Sequence, residues 1–179
     1  MIANILNAIT LSRIFCAILI YLILFLESNY SLALFLFFVA SFSDFLDGYL
    51  ARKTDSVSVL GEILDPIADK LLIVFVLIGL SINLDSFLIG FISAIIISRE
   101  IWVAALRDIN SRNNQSDKTK VTFLAKTKTA IQMLSIFMYI LGLTINNMVV
   151  LFFADIILII ALLVTIHTGF QYTISTFKK

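Results

Sequence analysis

Six apolar stretches in this chain are each about as long as the helix needed to cross the hydrocarbon core of a bilayer, roughly 20 residues. Hydrophobic residues make up 60% of the 179 residues and charged residues only 14%, against about 25% charged in soluble domains. The chain is therefore predicted to be an all-α, polytopic membrane protein that forms a single domain over residues 1–179. Six transmembrane helices are predicted at residues 9–26, 31–50, 63–82, 86–106, 129–143 and 148–172.

The segments outside these spans are short, with one exception. Residues 2–8 are predicted to form a short N-terminal interfacial helix that leads into the first span. The polar stretch 108–128 is predicted to be a loop between the fourth and fifth spans. Because no basic region precedes the first apolar run, we expect no cleavable signal and insertion through the spans themselves.

The basic residues predict the orientation of the spans. Six spans place both termini on the same side, and all 13 Lys and Arg residues lie in the loops, the tail or the span ends of that side. The positive-inside rule makes this side cytoplasmic. We therefore expect an integral protein of the inner (cell) membrane, with both termini and the active site facing the cytoplasm.

Four aspartates interrupt the apolar spans. Asp44 and Asp47 lie in the second span, and Asp65 and Asp69 lie at the start of the third. An ionised carboxylate facing lipid costs at least about 2.5 kcal/mol, so these side chains should face the interior of the bundle. The i, i+3 and i, i+4 spacings put each pair on one face of its helix. The short loop between the two helices lets the two acidic faces meet.

A bound divalent cation would offset the repulsion among these four carboxylates. Cys16 and His167 are the single cysteine and the single histidine of the chain, so the ligands would be oxygen atoms. Oxygen ligands favour magnesium or manganese, with calcium as a further candidate. Four carboxylates suffice for two metal ions, which can bridge a diphosphate. A pathway for protons or cations is the alternative use of intramembrane carboxylates.

Small residues and an arginine accompany the aspartates. Gly48 and Ala51 share the acidic face of the second span, and Gly61 lies just beyond the loop. These residues leave room for a ligand, or alternatively serve as close helix-packing contacts. Arg52 lies at the same end and is suited to bidentate phosphate binding, or alternatively anchors the topology.

The order and spacing of these residues resemble those of a known family. Residues 44–69 read DFLDGYLARKTDSVSVLGEILDPIAD and match D-x2-D-G-x2-A-R-x8-G-x3-D-x3-D at every fixed position. This pattern resembles the signature of the CDP-alcohol phosphatidyltransferases. The resemblance implies a six-helix membrane enzyme, commonly a homodimer, that binds two divalent metal ions. Magnesium is the expected metal, and manganese is a second candidate.

The resemblance also implies roles for individual residues. Asp44, Asp47, Asp65 and Asp69 would hold the two metal ions, and Asp69 would in addition act as the general base. Ala51 and Gly61 would provide space for the donor, CDP-diacylglycerol. The donor-binding residues implied in this way are Asn7, Thr10, Gly48, Ala51, Arg52, Ser58 and Gly61.

Three further blocks resemble the phosphatidylglycerophosphate synthases, a subfamily whose acceptor is sn-glycerol 3-phosphate. They are NILNAITLSR at residues 4–13, ISREIWVAALR at residues 97–107 and AKTKTAIQM at residues 125–133. The phosphate of this acceptor would be bound by Arg99, Arg107 and Lys126, with Lys128 as an addition. The alternative role for these basic residues is to set the topology and bind anionic lipid headgroups.

The reaction implied is transfer of the phosphatidyl group from CDP-diacylglycerol to sn-glycerol 3-phosphate, giving phosphatidylglycerophosphate and CMP. Inositol phosphate, phosphatidylglycerol and serine are alternative acceptors for the same chemistry, and the basic residues favour a phosphorylated one. A divalent-cation transporter and an inactive scaffold are the alternatives from other classes. The expected partners are the two substrates, membrane lipids and a second copy of the chain, whereas nucleic acid is not expected.

Overall fold

The computed structural model of the protein describes residues 2–54, 59–114 and 123–178, except for the side chains of residues 2–6, 44–54, 59–60, 62 and 123–126. The described chain is all-helical, which confirms the all-α part of the predicted fold class. Its six elements are α1 (Ile2–Phe25), α2 (Tyr30–Thr54), α3 (Val59–Asn83), α4 (Phe87–Arg112), α5 (Phe123–Thr144) and α6 (Met148–Phe177).

Each predicted span falls on one of these helices. Among the described residues, three helices are long and apolar enough to cross a membrane: Asn7–Phe25 within α1, Phe87–Arg112 and Met148–Phe177. Their mean hydropathies are 2.3, 1.8 and 3.1. The apolar part of α2, Tyr30–Ser43, is shorter. The protein therefore has the composition and the helix lengths of a membrane protein, with three helices that meet the requirements for crossing.

Two predicted boundaries differ from the structure. Residues 2–8 are helical as predicted, but they are not bounded from the first span, because α1 continues unbroken from Ile2 to Phe25 and contains no Pro or Gly to interrupt it. The predicted loop at residues 108–128 is helical at both ends, since α4 continues to Arg112 and α5 begins at Phe123. Helix hydrogen bonds are local and extend into polar sequence, whereas hydropathy marks only the apolar part of a helix.

Three short turns connect α1 to α2, α3 to α4, and α5 to α6. Turns of this length join antiparallel neighbours. In each turn one residue adopts a positive φ that reverses the chain, and these residues are Glu27, Asp85 and Asn146. The turns themselves occupy residues 26–29, 84–86 and 145–147.

Contacts between helices show that the three turns lie at the same end of the bundle. Thr10 contacts Asp65 near the starts of α1 and α3, and the amide of Asn83 donates to the carbonyl of Leu24 near their ends, so these helices are parallel. Residues 99–110 of α4 likewise pair in order with residues 165–176 of α6. The starts of α1, α3 and α5 and the ends of α2, α4 and α6 therefore lie together. We refer to this end, opposite the short turns, as the polar end.

The apolar core lies between the polar end and the short turns. It contains Ile20 and Leu24 of α1 and Ile136 of α5, and the helices packed most extensively are α1 on α3 and α5 on α6. A Cβ atom at Gly79 would lie 3.2 Å from Leu24 Cδ1, so the missing side chain lets α1 and α3 approach closely. Large apolar side chains on the outside, such as Phe170, are exposed, as expected for a surface that faces lipid.

Candidate active site

Two of the predicted site aspartates contact α1 at the polar end. The hydroxyl of Thr10 donates to Asp65 Oδ1 at 2.7 Å, and Arg13 Nη1 lies 2.9 Å from Asp69 Oδ1. Thr10 and Arg13 are three positions apart on α1, and the two aspartates are four apart on α3. Because residues at these spacings share one face of a helix, the acidic face of α3 is directed at the polar face of α1. These contacts place the predicted donor residue Thr10 beside the predicted metal ligands.

Arg13 was not predicted as a site residue, although its side chain is fully buried. Its exposed fraction is 0%, whereas 30% of the Asp69 side chain is exposed. Breaking a buried ion pair by removing one partner destabilises a protein by about 3–5 kcal/mol, because the other charge is left uncompensated. The sequence did contain a signal for this pairing. An arginine inside an apolar span is expected to turn inward and to find a carboxylate.

The remaining donor and metal residues are described only in part. Asn7 and Gly61 are half-buried, and Asn7 lies one turn before Thr10 on α1. The predicted meeting of the two acidic faces lies outside the described residues. The remaining predicted residues whose side chains are not described are Asp44, Asp47, Gly48, Ala51 and Arg52 on α2, together with Ser58, whose backbone is not described either.

Arg99 is held against α6 at the polar end. Its Nε atom donates to the Thr165 carbonyl at 3.2 Å, and its Nη2 atom donates to the Thr168 hydroxyl at 2.8 Å. Its guanidinium carbon lies 5.7 Å from the centre of the Tyr172 ring, within range of a cation–π interaction. A Cβ atom at Gly169 would lie 3.0 Å from Arg99 Cγ, so this glycine makes room for the arginine. The side chain is therefore fixed in one position rather than extended towards solvent.

A second ion pair joins α4 to α5 beside Arg99. The carboxylate of Glu100 accepts a hydrogen bond from Arg99 Nη1 at 2.9 Å and another from the ammonium group of Lys128. Lys128 is buried, and Glu100 is largely buried. This shared carboxylate holds the basic residues of α4 and α5 next to each other at the polar end.

Of the other two residues predicted to bind the acceptor phosphate, the structure describes the side chain of Arg107 but not that of Lys126. The Arg107 guanidinium carbon lies 5.4 Å from the centre of the Tyr172 ring, so Arg107 and Arg99 contact the same aromatic side chain. Lys126 lies on α5, but its side chain is outside the described part of the chain. At the polar end, Arg99 therefore shares the Tyr172 ring with Arg107 and the Glu100 carboxylate with Lys128. Glu100 was not predicted at all, because a glutamate next to an arginine in sequence gives no sign of a partner on another helix.

The chain matches a family model over most of its length. Residues 3–167 match the model described as CDP-alcohol phosphatidyltransferase. The chain belongs to the CDP-alcohol phosphatidyltransferase family. It is thus an enzyme of this class, a transferase of phospholipid biosynthesis.

Several relatives in this family carry one name, CDP-diacylglycerol–glycerol-3-phosphate 3-phosphatidyltransferase. The relative from Rickettsia bellii is 39% identical over 172 residues, which cover 94% of this chain and 93% of the relative. The relative from Rickettsia felis is 37% identical over 174 residues, with 94% and 93% covered. The relative from Escherichia coli K12 is 30% identical over 135 residues, or 74% of each chain.

The described carboxylates of this phosphatidyltransferase suit a hard cation. Asp65 and Asp69 present oxygen atoms from consecutive turns of α3, and oxygen is the donor that magnesium and manganese prefer. Within the part of the chain that the structure describes, no three His, Cys, Asp or Glu side chains come close enough to hold a metal ion. Any further carboxylate ligands would come from side chains outside the described part, which include the predicted ligands Asp44 and Asp47 on α2.

Proposed function

We propose that the protein transfers the phosphatidyl group from CDP-diacylglycerol to sn-glycerol 3-phosphate, giving phosphatidylglycerophosphate and CMP. One geometric observation carries the proposal: the Arg13–Asp69 pair and the Arg99, Arg107 and Lys128 side chains lie at the same end of the bundle. A carboxylate that can accept a proton is thus near basic groups that can bind an anion. The names of the relatives support glycerol 3-phosphate as that anion.

The chemistry assigned to the chain is a single displacement at phosphorus. The acceptor hydroxyl oxygen attacks the phosphorus that carries diacylglycerol, and the bond from this phosphorus to the CMP oxygen breaks. Asp69 takes the proton of the hydroxyl, and CMP leaves with the electron pair. Arg13 fixes the orientation of the Asp69 carboxylate, since the two side chains share a hydrogen bond.

The proposal includes two magnesium ions per active site, held by Asp44, Asp47, Asp65 and Asp69, with manganese as the second candidate. When bound, these ions would neutralise charge on the diphosphate oxygens. The oxygen donors of Asp65 and Asp69 on one face of α3 support this assignment. The proposed donor contacts are those implied by the family signature, namely Asn7, Thr10, Gly48, Ala51, Arg52, Ser58 and Gly61.

We further propose that the acceptor phosphate is bound by Arg99, Arg107 and Lys126. The contact of Arg99 and Arg107 with one tyrosine ring supports a common role for these two residues. Lys128 is added to this set, because it is buried beside Arg99 and shares a carboxylate with it. Four cations around one site suit a phosphate monoester, which carries a charge of about −2 at neutral pH.

For the placement in the membrane, we propose that all six helices cross the inner membrane and that the polar end faces the cytoplasm. The distribution of all 13 basic residues on the side of the polar end supports this orientation. Pairing of two copies in the membrane, common in this family, is part of the proposal.

The test is CMP release by the purified protein in detergent, given CDP-diacylglycerol and magnesium. Glycerol 3-phosphate, inositol phosphate, serine and phosphatidylglycerol are offered separately, and Asp69→Asn is the active-site variant. Asp85→Asn is the matched control, because Asp85 is exposed in a short turn at the opposite end of the bundle. We expect CMP release only with glycerol 3-phosphate, lost in Asp69→Asn and retained in Asp85→Asn.

The other outcomes separate the alternatives. CMP release with a different acceptor would keep the chemistry and refute glycerol 3-phosphate as the substrate. Folded, magnesium-loaded protein that releases no CMP with any acceptor would refute the proposed reaction. Metal flux through vesicles containing such protein would then favour a cation transporter.

A further inference from the structure

Glu100 joins two cations that come from different helices. Its Oε1 atom accepts from Arg99 on α4 and from Lys128 on α5, and these are the partners of the carboxylate among the described residues. All three side chains are largely or fully buried. Two buried cations repel one another unless an anion lies between them. Glu100 therefore permits Arg99 and Lys128 to lie side by side inside the bundle.

Hydrogen bonds from both α4 and α5 join this part of the bundle to α6. Arg99 on α4 donates to the Thr165 carbonyl, and Gln132 on α5 donates to the Thr165 hydroxyl at 3.1 Å. Gln132 is four residues after Lys128, so the two side chains share a face of α5. One turn of α6 thus sets the separation of α4 and α5 at the point where the carboxylate of Glu100 bridges them. The bridge is part of a rigid framework rather than a mobile surface contact.

The described side chains of this group carry a net positive charge, opposite in sign to that of a phosphate monoester. Among them, Arg99, Arg107 and Lys128 contribute three positive charges and Glu100 contributes one negative charge, which leaves +2. A phosphate monoester has a charge of about −2. Groups that are already in place when an anion arrives bind it better, because no side chain has to be ordered or pulled free of a neighbour.

We propose that Glu100 is a positioning residue for the acceptor: it holds Lys128 beside Arg99 so that both can bind the phosphate group. This inference rests on the proposed function, since it assigns a role within the acceptor site. Glu100 itself does not touch the acceptor phosphate, because two anionic groups repel. Its effect is exerted through Lys128, whose ammonium group has no other partner among the described residues.

The first experiment compares Glu100→Gln with Glu27→Gln, a control in the exposed turn at the opposite end of the bundle. CMP release is measured as a function of glycerol 3-phosphate at saturating CDP-diacylglycerol, and then with the concentrations reversed. We expect Glu100→Gln to raise the KM for glycerol 3-phosphate about tenfold. Its kcat and its KM for the donor should stay within about twofold of the wild type, because uniform acceptor binding is what is lost.

A double-mutant cycle tests whether Glu100 acts through Lys128. In a Lys128→Met background, Glu100→Gln should change the KM for glycerol 3-phosphate by less than about twofold, because the side chain that it positions is gone. Additive effects of the two substitutions would overturn the proposal. A lower KM in Glu100→Gln would also overturn it, since the carboxylate would then be competing with the acceptor phosphate.

A binding measurement separates this inference from the proposed reaction. Stabilisation of the folded protein by inorganic phosphate is followed by thermal unfolding in the wild type, Glu100→Gln and Glu27→Gln. Phosphate should stabilise the wild type and Glu27→Gln, and it should have little effect on Glu100→Gln. If glycerol 3-phosphate is not a substrate but this pattern holds, the positioning role survives without the proposed acceptor. If the wild type turns over glycerol 3-phosphate and Glu100→Gln has the same KM, the reaction stands and the positioning role fails.

If Glu100→Gln does not fold, Glu100→Asp is the variant that tests the proposal. This variant keeps the charge on a side chain one methylene shorter, so that it reaches Arg99 and Lys128 less well. We expect it to fold and to have a KM for glycerol 3-phosphate between those of the wild type and a Lys128→Met variant. A wild-type KM in a folded Glu100→Asp protein, or a wild type that phosphate does not stabilise, would overturn the proposal.

Discussion

Arg13 Nη1 lies 2.9 Å from Asp69 Oδ1, and this pair connects the first helix of the bundle to the third. The arginine is fully buried and the aspartate is partly exposed. The pair therefore has two consequences: it supplies a counter-charge for a cation inside the bundle, and it orients the carboxylate to which we assign the proton transfer. Both consequences can be measured by substitution.

Arg13→Met should lower the free energy of unfolding by about 1.5–3 kcal/mol, because the partly exposed Asp69 loses a charged hydrogen-bond partner. CMP release should fall in the fraction that remains folded, since the carboxylate is no longer held in one orientation. The measurements are thermal unfolding in detergent and initial rates of CMP release. Arg112→Met is the control, because Arg112 pairs with Asp108 on the surface and is 76% exposed. Such exposed pairs contribute less than about 1 kcal/mol. Equal effects of the two substitutions would show that burial of Arg13 has no consequence.

Thr10→Val removes the hydroxyl that donates to Asp65 and changes little else in size. Hydrogen bonds to charged groups are worth about 1.5–3 kcal/mol. If Thr10 helps to bind the donor, the KM for CDP-diacylglycerol should rise about tenfold. Thr144→Val is the control, since Thr144 donates to Ile140 of its own helix near the opposite end. An unchanged donor KM in folded Thr10→Val would remove Thr10 from the donor site.

Gly169→Ala should affect stability and acceptor binding in opposite directions. Alanine favours a helix over glycine by about 1 kcal/mol, but its Cβ would lie 3.0 Å from Arg99 Cγ and force that side chain to shift. Off-rotamer side chains cost about 0.5–1.5 kcal/mol, so the KM for glycerol 3-phosphate should rise about threefold. The control is Gly90→Ala, whose Cβ would meet Ser81 Oγ near the short turns. Rate measurements at varied acceptor concentration that show the same KM for both variants would contradict a role for the position of Arg99.

Removal of divalent metal by EDTA should abolish CMP release, and added magnesium should restore it. Magnesium should also raise the unfolding temperature, because an ion that binds only the folded state stabilises it. Asp65→Asn should weaken this stabilisation, since it replaces a charged oxygen ligand with a neutral one. Full activity of thoroughly chelated protein would refute the proposed metal site, whatever the behaviour of the variant.

Tyr139→Phe should destabilise the protein without changing its kinetics. The Tyr139 hydroxyl donates to the Asp155 carboxylate between α5 and α6, and Tyr139 is buried. Loss of this bond leaves a carboxylate without its partner, at a cost of about 1–3 kcal/mol. Tyr21→Phe is the control, because the Tyr21 ring packs against Phe25 and Phe75. Thermal unfolding should separate the two variants. A change in the KM for either substrate in Tyr139→Phe would show that this pair acts on the polar end.

The hydrogen bond from Tyr139 to Asp155 also gives a structural role to Asp155, for which the sequence offered none. A carboxylate in an apolar helix predicts a partner, but the partner is on another helix and its position depends on how α5 and α6 pack. The same reason applies to Arg13 and Glu100. The sequence shows each of them as a charged residue in an apolar segment. Its partner on another helix is 56 positions away for Arg13 and 28 positions away for Glu100. Sequence spacing within one helix can be calculated, but contacts between helices require the packed structure.

The sequence by itself determined the helices, the family and the residues of the signature. Apolar length sets where helices can cross a bilayer, and the order of the aspartates and small residues is a linear property that a single chain displays. The tertiary structure decided where the helices end, which face of α3 meets α1, and which side chains hold one another. Ion pairs and hydrogen bonds between helices form only after packing, because the distance between their partners is set by the fold and not by their separation in the sequence.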